Sequence, residues 1–251
     1  TISDGEAYFA IKGDMHDGHK FVAGAHANGG GLGVVSEEWV DRLEGETGPL
    51  LIVDDVLKAL EKLGIAARAR TDAKIIAVTG SVGKTTTKEA LRTALAASGP
   101  VHASDRSFNN HWGVPLTRAR MPRDTDFGVF EIGMNHPNEI SPLVKMVRPH
   151  IAIITIVAPV HLGAFESVDG IAHAKAEIFD GLEQGGTALL NADDERIGQL
   201  SDIAKRKGVT KIATFGESAN AQARIEKLVQ HTSCTCLTAD ILGHSMVVKI
   251  G

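Results

Sequence analysis

The chain has 251 residues, 26 Lys and Arg against 31 Asp and Glu, a net charge of −5 and 43% hydrophobic content. These totals support a packed core in one large or two modest domains, and the lack of a basic run argues against a nucleic-acid partner. The longest apolar run, 151–160, is shorter than the roughly 20 residues of a membrane span. No secretory signal is visible at the start, so the expected location is the cytoplasm.

Residues 1–72 read as a small α/β domain. Strand 8–11 is followed by a short helix at 21–27 that ends in the glycines of 29–33. Val34 and Val35 open a second strand, and 50–53 is a third. Asp54 is expected to cap a helix with Val56, Leu57, Leu60 and Leu63 on one face. The charged stretch 68–74 marks the boundary to a second domain, 73–251.

From Ile75 strands and helices alternate. The spacing predicts a strand from Ile75, a helix over 85–98 stopped by Gly99-Pro100, and a strand at 127–132. A β-branched strand at 151–157 is expected at the centre, covered on both faces. Helix 169–182, strand 187–190, helix 194–206 and strand 211–215 continue the pattern. Such alternation specifies right-handed crossovers around a mostly parallel sheet, with ligands at the carboxyl ends of its strands. Segments 223–229, 233–241 and 245–250 read as antiparallel strands. The expected fold is α/β: a small N-terminal α/β domain, then a P-loop NTPase-like, mostly parallel sheet with a terminal antiparallel strand set. Cys234 and Cys236, in the second of these strands, are two ligands where zinc usually takes four, so they read as thiols of a reducing compartment.

The most informative stretch is IIAVTGSVGKTTTKE at 75–89. An apolar strand enters a turn of Thr79, Gly80, Ser81, Val82 and Gly83, and Lys84, Thr85 and Thr86 open a helix. Backbone N–H groups of such a turn and of the helix N-terminus converge on one point and bind anions. Lys84 adds a full charge, and the Thr85 hydroxyl can reach a phosphate-bound magnesium ion. Val78 stands where the strict phosphate-loop spacing has its first glycine. The plainer reading is a strand-to-helix turn whose glycines serve local geometry.

Four further places could complete a site. Glu131 ends a hydrophobic strand and offers hard oxygen to magnesium, or is simply a solvated end. His161 follows the central strand at the same edge, although a lone histidine is usually structural. Lys175 lies beside the apolar stripe of Ile171, Ala174 and Ile178, where a surface lysine is the ordinary reading. Asn191 follows strand 187–190 and could read an adenine edge, while Asp193 or Asp194 could cap the next helix. Asn109 and Asn110, in a loop at 107–115, suit a polar substrate or phosphate, or a plain turn.

Taken together, VTGSVGKTTTKE (78–89), SFNNHWGVPLT (107–117), EIGMNHPNEI (131–140) and HLGAFESVDGIAHAKAEIF (161–179) resemble the Mur ligases, the ATP-dependent amide-forming enzymes of peptidoglycan synthesis. The segment YFAIKGDMHDGHKFVAGAHANGG resembles their uridine-nucleotide domain. The resemblance implies ATP and two Mg2+ ions as cofactors, with Glu131 and His161 as magnesium ligands. It implies that Lys175 is carbamylated and supplies an oxygen ligand, that Asn191 reads adenine, and that Asn109 and Asn110 face the acyl substrate. It also implies a cytoplasmic monomer that adds D-alanyl-D-alanine to UDP-N-acetylmuramoyl-tripeptide through an acyl phosphate. A nucleotide-binding module that works with a partner subunit, or a sister ligase of the family, are the alternatives. Val82, His111 and Asn138 depart from the family's commonest residues. An aspartate-serine-arginine motif and a C-terminal ligase domain have no counterpart in the 251 residues. The chain is therefore expected to be a fragment: a truncated uridine domain and most of the ATP-binding domain.

Overall fold

A computed structural model of the chain describes residues 2–13, 15–43, 48–105, 108–160 and 163–250. Two compact units, Thr1–Ala66 and Ala67–Gly251, divide it. The division falls inside a helix rather than in the charged stretch after it.

In the first unit, parallel strands β1 (Ala7–Phe9), β2 (Leu32–Ser36) and β3 (Leu50–Val53) pair in sequence order. A 3-10 turn (Gly18–Phe21) leads into helix α1 (Val22–Ala27). Ala10, Val22, Val35 and Leu43 form the core, with Tyr8, Trp39 and Leu50 packed on it. His19 ties the turn to the sheet. Its Nδ1 lies 2.6 Å from Asp17 Oδ1, its Nε2 accepts the Ser36 N–H at 2.9 Å, and its ring stacks on Trp39. Helix α2 (Val56–Ala69) starts with the Asp55 carboxylate accepting the Lys58 N–H at 2.9 Å, so Asp55 and not Asp54 is the cap. Its buried positions are Val56, Leu60, Gly64 and Ala67, whereas Leu63 is 44% exposed. Val56 and Leu60 are thus buried as expected, while Gly64 and Ala67 replace Leu63 on the buried face.

The second unit is built on nine strands in the order β12-β11-β10-β9-β8-β7-β4-β6-β5. The parallel part comprises β4 (Lys74–Thr79), β5 (Val101–Ala103), β6 (Phe127–Glu131), β7 (Ile151–Ile154), β8 (Thr187–Asn191) and β9 (Lys211–Gly216). The strand β10 (Ala223–Gln230) joins β9 in parallel, and β11 (Thr235–Ile241) and β12 (His244–Ile250) follow antiparallel. The expected terminal hairpins thus extend the same sheet. Alternation along β4 sends Ile75 and Ala77 to one face and Ile76 and Val78 to the other. The first face packs under α5 (Ile140–Val147), α6 (Val168–Lys175) and α7 (Ile197–Arg206); the second meets Leu91 and Leu95 of α3 (Lys84–Leu95).

Several bounds differ from the sequence pattern. The central strand stops at Ile154 rather than 157, because Thr155 to Ala158 turn their hydrogen bonds toward another segment. The helix expected over 169–182 is α6 followed by a 3-10 turn, Ala176–Gly181. Helix α7 begins at Ile197, since Asp194 spends its carboxylate on the approach to it. Strand β5, helix α4 (Gly113–Ala119) and α5 were not evident from periodicity. Strand β4 lies between β6 and β7, so the chain crosses from β4 to β5 on one side of it and later from β6 to β7 on the other. That reversal opens a crevice at the carboxyl ends of these strands.

Candidate active site at the carboxyl ends of the strands

Strand β4 ends at Thr79, and residues 80–83 turn into the 12-residue helix α3. Gly80 has φ +152° and Gly83 φ +84°, on the side of backbone space that favours glycine. A methyl group on Gly80 would also overlap the Thr155 hydroxyl. The turn is fastened to the segment after β7. Ser81 N–H donates to Ile156 O at 2.8 Å, while Ser81 Oγ donates to Ala158 O at 3.0 Å and accepts from Ala158 N at 2.9 Å. Thr155 Oγ1 donates to Val82 O at 2.6 Å. Among the described residues the N–H groups of Gly80, Val82, Gly83 and Lys84 have no acceptor. Unpaired donors at a helix N-terminus form an anion cradle. Lys84 Nζ rests on Gly80 O at 2.9 Å. Burial lowers its pKa, and Glu131 nearby works in the opposite sense.

Glu131 closes β6 and is 2% exposed. Its two oxygens take separate partners: Thr85 Oγ1 at 2.9 Å and Asn109 Nδ2 at 2.8 Å. The Asn109 loop is held in return by Gly133 N–H, which donates to Asn109 O at 2.8 Å. A Cβ on Gly133 would lie 2.8 Å from Asn109 Cγ, so the glycine permits this approach. Lys175, on the inner face of α6, is also 2% exposed, not a surface lysine, and no hydrogen bond or ion pair reaches its side-chain nitrogen among the described residues. Burial first, and the charge of Lys84 second, hold its pKa down at about 7. Lys84, Thr85, Asn109, Glu131 and Lys175 therefore share one neighbourhood.

The remaining expectations divide. Asn191, at the end of β8, donates from Nδ2 to Thr155 O at 3.1 Å and accepts Asp193 N–H at 2.9 Å. One amide proton and one lone pair stay open to a ligand. Asn110 spends its Oδ1 on Gly113 N–H at 2.9 Å, starting α4. Thr86 stands exposed on α3. His161 lies outside the described residues. Among those described, no three His, Cys, Asp or Glu side chains form a metal cage. Thr85 and Glu131 still present hard oxygens side by side, which suits magnesium, an ion usually held by one or two carboxylates together with substrate phosphates.

Two supporting residues carry no motif of their own. Lys88, 1% exposed, donates from Nζ to Ser104 O at 2.6 Å and pairs with Glu89 at 3.0 Å, anchoring the chain where it leaves β5 toward Asn109. Glu177 accepts the N–H groups of Asn138, Ile140 and Ser141 at 2.7, 3.1 and 3.0 Å, capping α5 from 36 or more residues away. The lysine four residues after Lys84 and the glutamate two after Lys175 were the available sequence signals. Neither spacing reveals burial or a distant partner.

This fold, with its cradle at the switch point, has known counterparts. The Mur ligase middle domain matches residues 78–251, and the chain belongs to the Mur ligase family. It is 36% identical over 225 residues to UDP-N-acetylmuramoyl-tripeptide--D-alanyl-D-alanine ligase of Rickettsia prowazekii (strain Madrid E), an alignment covering 89% of this chain and 49% of that protein. It superimposes on the crystal structure of MurF from Acinetobacter baumannii with a TM-score of 0.85 and 32% identity, covering 98% of this chain and 52% of that one. MurF ligase from Thermotoga maritima in complex with ADP shares the fold, with a TM-score of 0.82 at 24% identity over 99% of this chain and 56% of that one. The chain thus spans about half the length of the relatives it matches.

Proposed function

We propose that this chain is the nucleotide-handling part of an ATP-dependent ligase that adds D-alanyl-D-alanine to UDP-N-acetylmuramoyl-tripeptide. The observation that carries the reading is the convergence of Lys84, Thr85 and Glu131 on a turn whose N–H groups lack acceptors. Relatives named for that reaction, and a fold relative holding ADP, support it. In this reading residues 73–251 hold ATP and residues 1–72 belong to a uridine-nucleotide domain. The protein works as a cytoplasmic monomer; among the described residues no helix is long and apolar enough to cross a membrane.

The triphosphate sits on the N–H groups of Gly80, Val82, Gly83 and Lys84, with Lys84 against its outer oxygens. Thr85 and Glu131 would hold one magnesium, with His161 as a further ligand, and a carbamylated Lys175 would help hold a second. Bound magnesium would supply charge neutralisation at the crowded phosphate oxygens. Lys175 suits carbamylation, because an amine with a pKa of about 7 is about half uncharged at neutral pH, and that neutral form can attack carbon dioxide, releasing one proton. Asn191 offers its free amide proton and lone pair to adenine. Asn109, fixed by Glu131, and Asn110 orient the tripeptide carboxylate. That carboxylate attacks the γ-phosphorus, ADP leaves, and the amine of D-alanyl-D-alanine attacks the acyl phosphate to give an amide and phosphate. Catalysis is mainly positioning and charge stabilisation.

The test is phosphate release by the full-length protein with ATP, Mg2+ and UDP-N-acetylmuramoyl-tripeptide across a panel of amines. Release that depends on D-alanyl-D-alanine is the expected result. Release with a single amino acid in its place, or with none of the panel, contradicts the proposal.

A further inference from the structure

Thr155 is the first residue beyond β7 and only 9% exposed. Its N–H donates to Thr79 O at 3.0 Å, and its Oγ1 lies 2.6 Å from Val82 O and 3.3 Å from Thr79 O. The hydroxyl thus touches both ends of the phosphate turn. It has one proton to give, and the shorter contact assigns that proton to Val82 O.

Peptide geometry supplies the consequence. Across a trans peptide the carbonyl and the following N–H point in opposite directions, and no cis bond interrupts the turn. Drawing Val82 O toward Thr155 therefore turns Gly83 N–H away from Thr155. Gly83 completes the turn at φ +84°, and its N–H is among those without an acceptor. Gly80 belongs to the same device, because any side chain there would occupy the place of the Thr155 hydroxyl. The Val82 side chain takes no part and is 58% exposed. The turn thus keeps its shape through a backbone carbonyl, whatever side chain stands at that position.

We propose that Thr155 is a positioning residue for nucleotide phosphates: its hydroxyl latches Val82 O so that Gly83 N–H faces the anion. The inference rests on reading the turn as a triphosphate site. The experiment is calorimetric binding of MgATP to the full-length wild-type protein and to Thr155→Val and Thr155→Ser, with thermal melts to set a temperature at which all three are folded. Val keeps the shape without the hydroxyl, and Ser keeps the hydroxyl without the methyl. Losing one such hydrogen bond should weaken MgATP binding about tenfold in Thr155→Val, while Thr155→Ser stays within about threefold of wild type. Equal affinity for Val and wild type, or equal loss in Val and Ser, overturns the latch. Failure of the wild-type protein to bind MgATP overturns the underlying reading instead, so the two failures are distinguishable.

Discussion

Arg118 and Lys175 are both cations removed from water, with different consequences. Arg118 is 0% exposed in α4, and none of its three guanidinium nitrogens has a hydrogen-bond partner among the described residues. Burial, with Arg68 and Arg148 adding repulsion, pulls its pKa down to about 9. An unpaired buried charge destabilises a fold, and an apolar side chain of similar volume relieves the cost. Arg118→Met should raise unfolding stability by about 1–3 kcal/mol at pH 7, read from a denaturant midpoint. The folded pKa lies below the ordinary guanidinium value of the unfolded chain, so the wild-type penalty is complete below about pH 9. It shrinks as pH rises from there toward the unfolded guanidinium's own range, because the unfolded chain then binds the extra proton. The advantage of Met should shrink with it. A less stable Arg118→Met variant would show that the guanidinium has compensation. The same desolvation at Lys175 yields an amine near neutrality beside Lys84, which is useful chemistry at the proposed site. Neither burial was legible in sequence: a lysine beside an apolar stripe reads as a surface group, and Arg118 lies in a helix that periodicity did not announce.

Helix α5 shows how an element can depend on a residue far away in the chain. Its sequence, ISPLVKMV, is short, and its first-turn N–H groups find their acceptor in Glu177, beyond β7 and α6. Asn138 ahead of it takes φ +67°, which asparagine tolerates better than most residues, and gives its N–H to the same carboxylate. Glu177→Gln keeps the shape but loses the charge and one acceptor oxygen. It should lower stability by about 1–2 kcal/mol, measured by chemical denaturation, and unchanged stability would refute the cap. This is also why α5 escaped the sequence reading, since its start signal lies 36 residues downstream. Elements that carry their own signals were legible. The apolar run of β4 entering Gly80 and Gly83 and the strand at 50–53 are examples, whereas α3 ends at Leu95, short of the expected stop at Gly99-Pro100. Strand β7 ran short of its apolar stretch because Ile156 and Ala158 bond Ser81 of the phosphate turn instead of continuing the ladder, a tertiary choice no local pattern encodes.

At the scale of the molecule, strand order does what no single motif can. Placing β4 between β6 and β7 brings the turn after β4, the acid ending β6 and the segment after β7 to one sheet edge. Chain alternation announced a parallel sheet and the glycine turn announced an anion, so the outline of the site was readable in advance. The pairing of Glu131 with both Thr85 and Asn109 was not, because it joins residues 46 and 22 positions apart. The proposed function depends on a triphosphate occupying this cradle. The direct measurement is a crystal structure of the full-length protein with Mg2+ and a non-hydrolysable ATP analogue. Expected are β- and γ-phosphate oxygens about 3 Å from the N–H groups of Gly83 and Lys84, Lys84 Nζ drawn off Gly80 O onto phosphate, and magnesium beside Thr85 and Glu131. A nucleotide bound elsewhere, with Lys84 still on Gly80 O and Glu131 away from any metal, would contradict it.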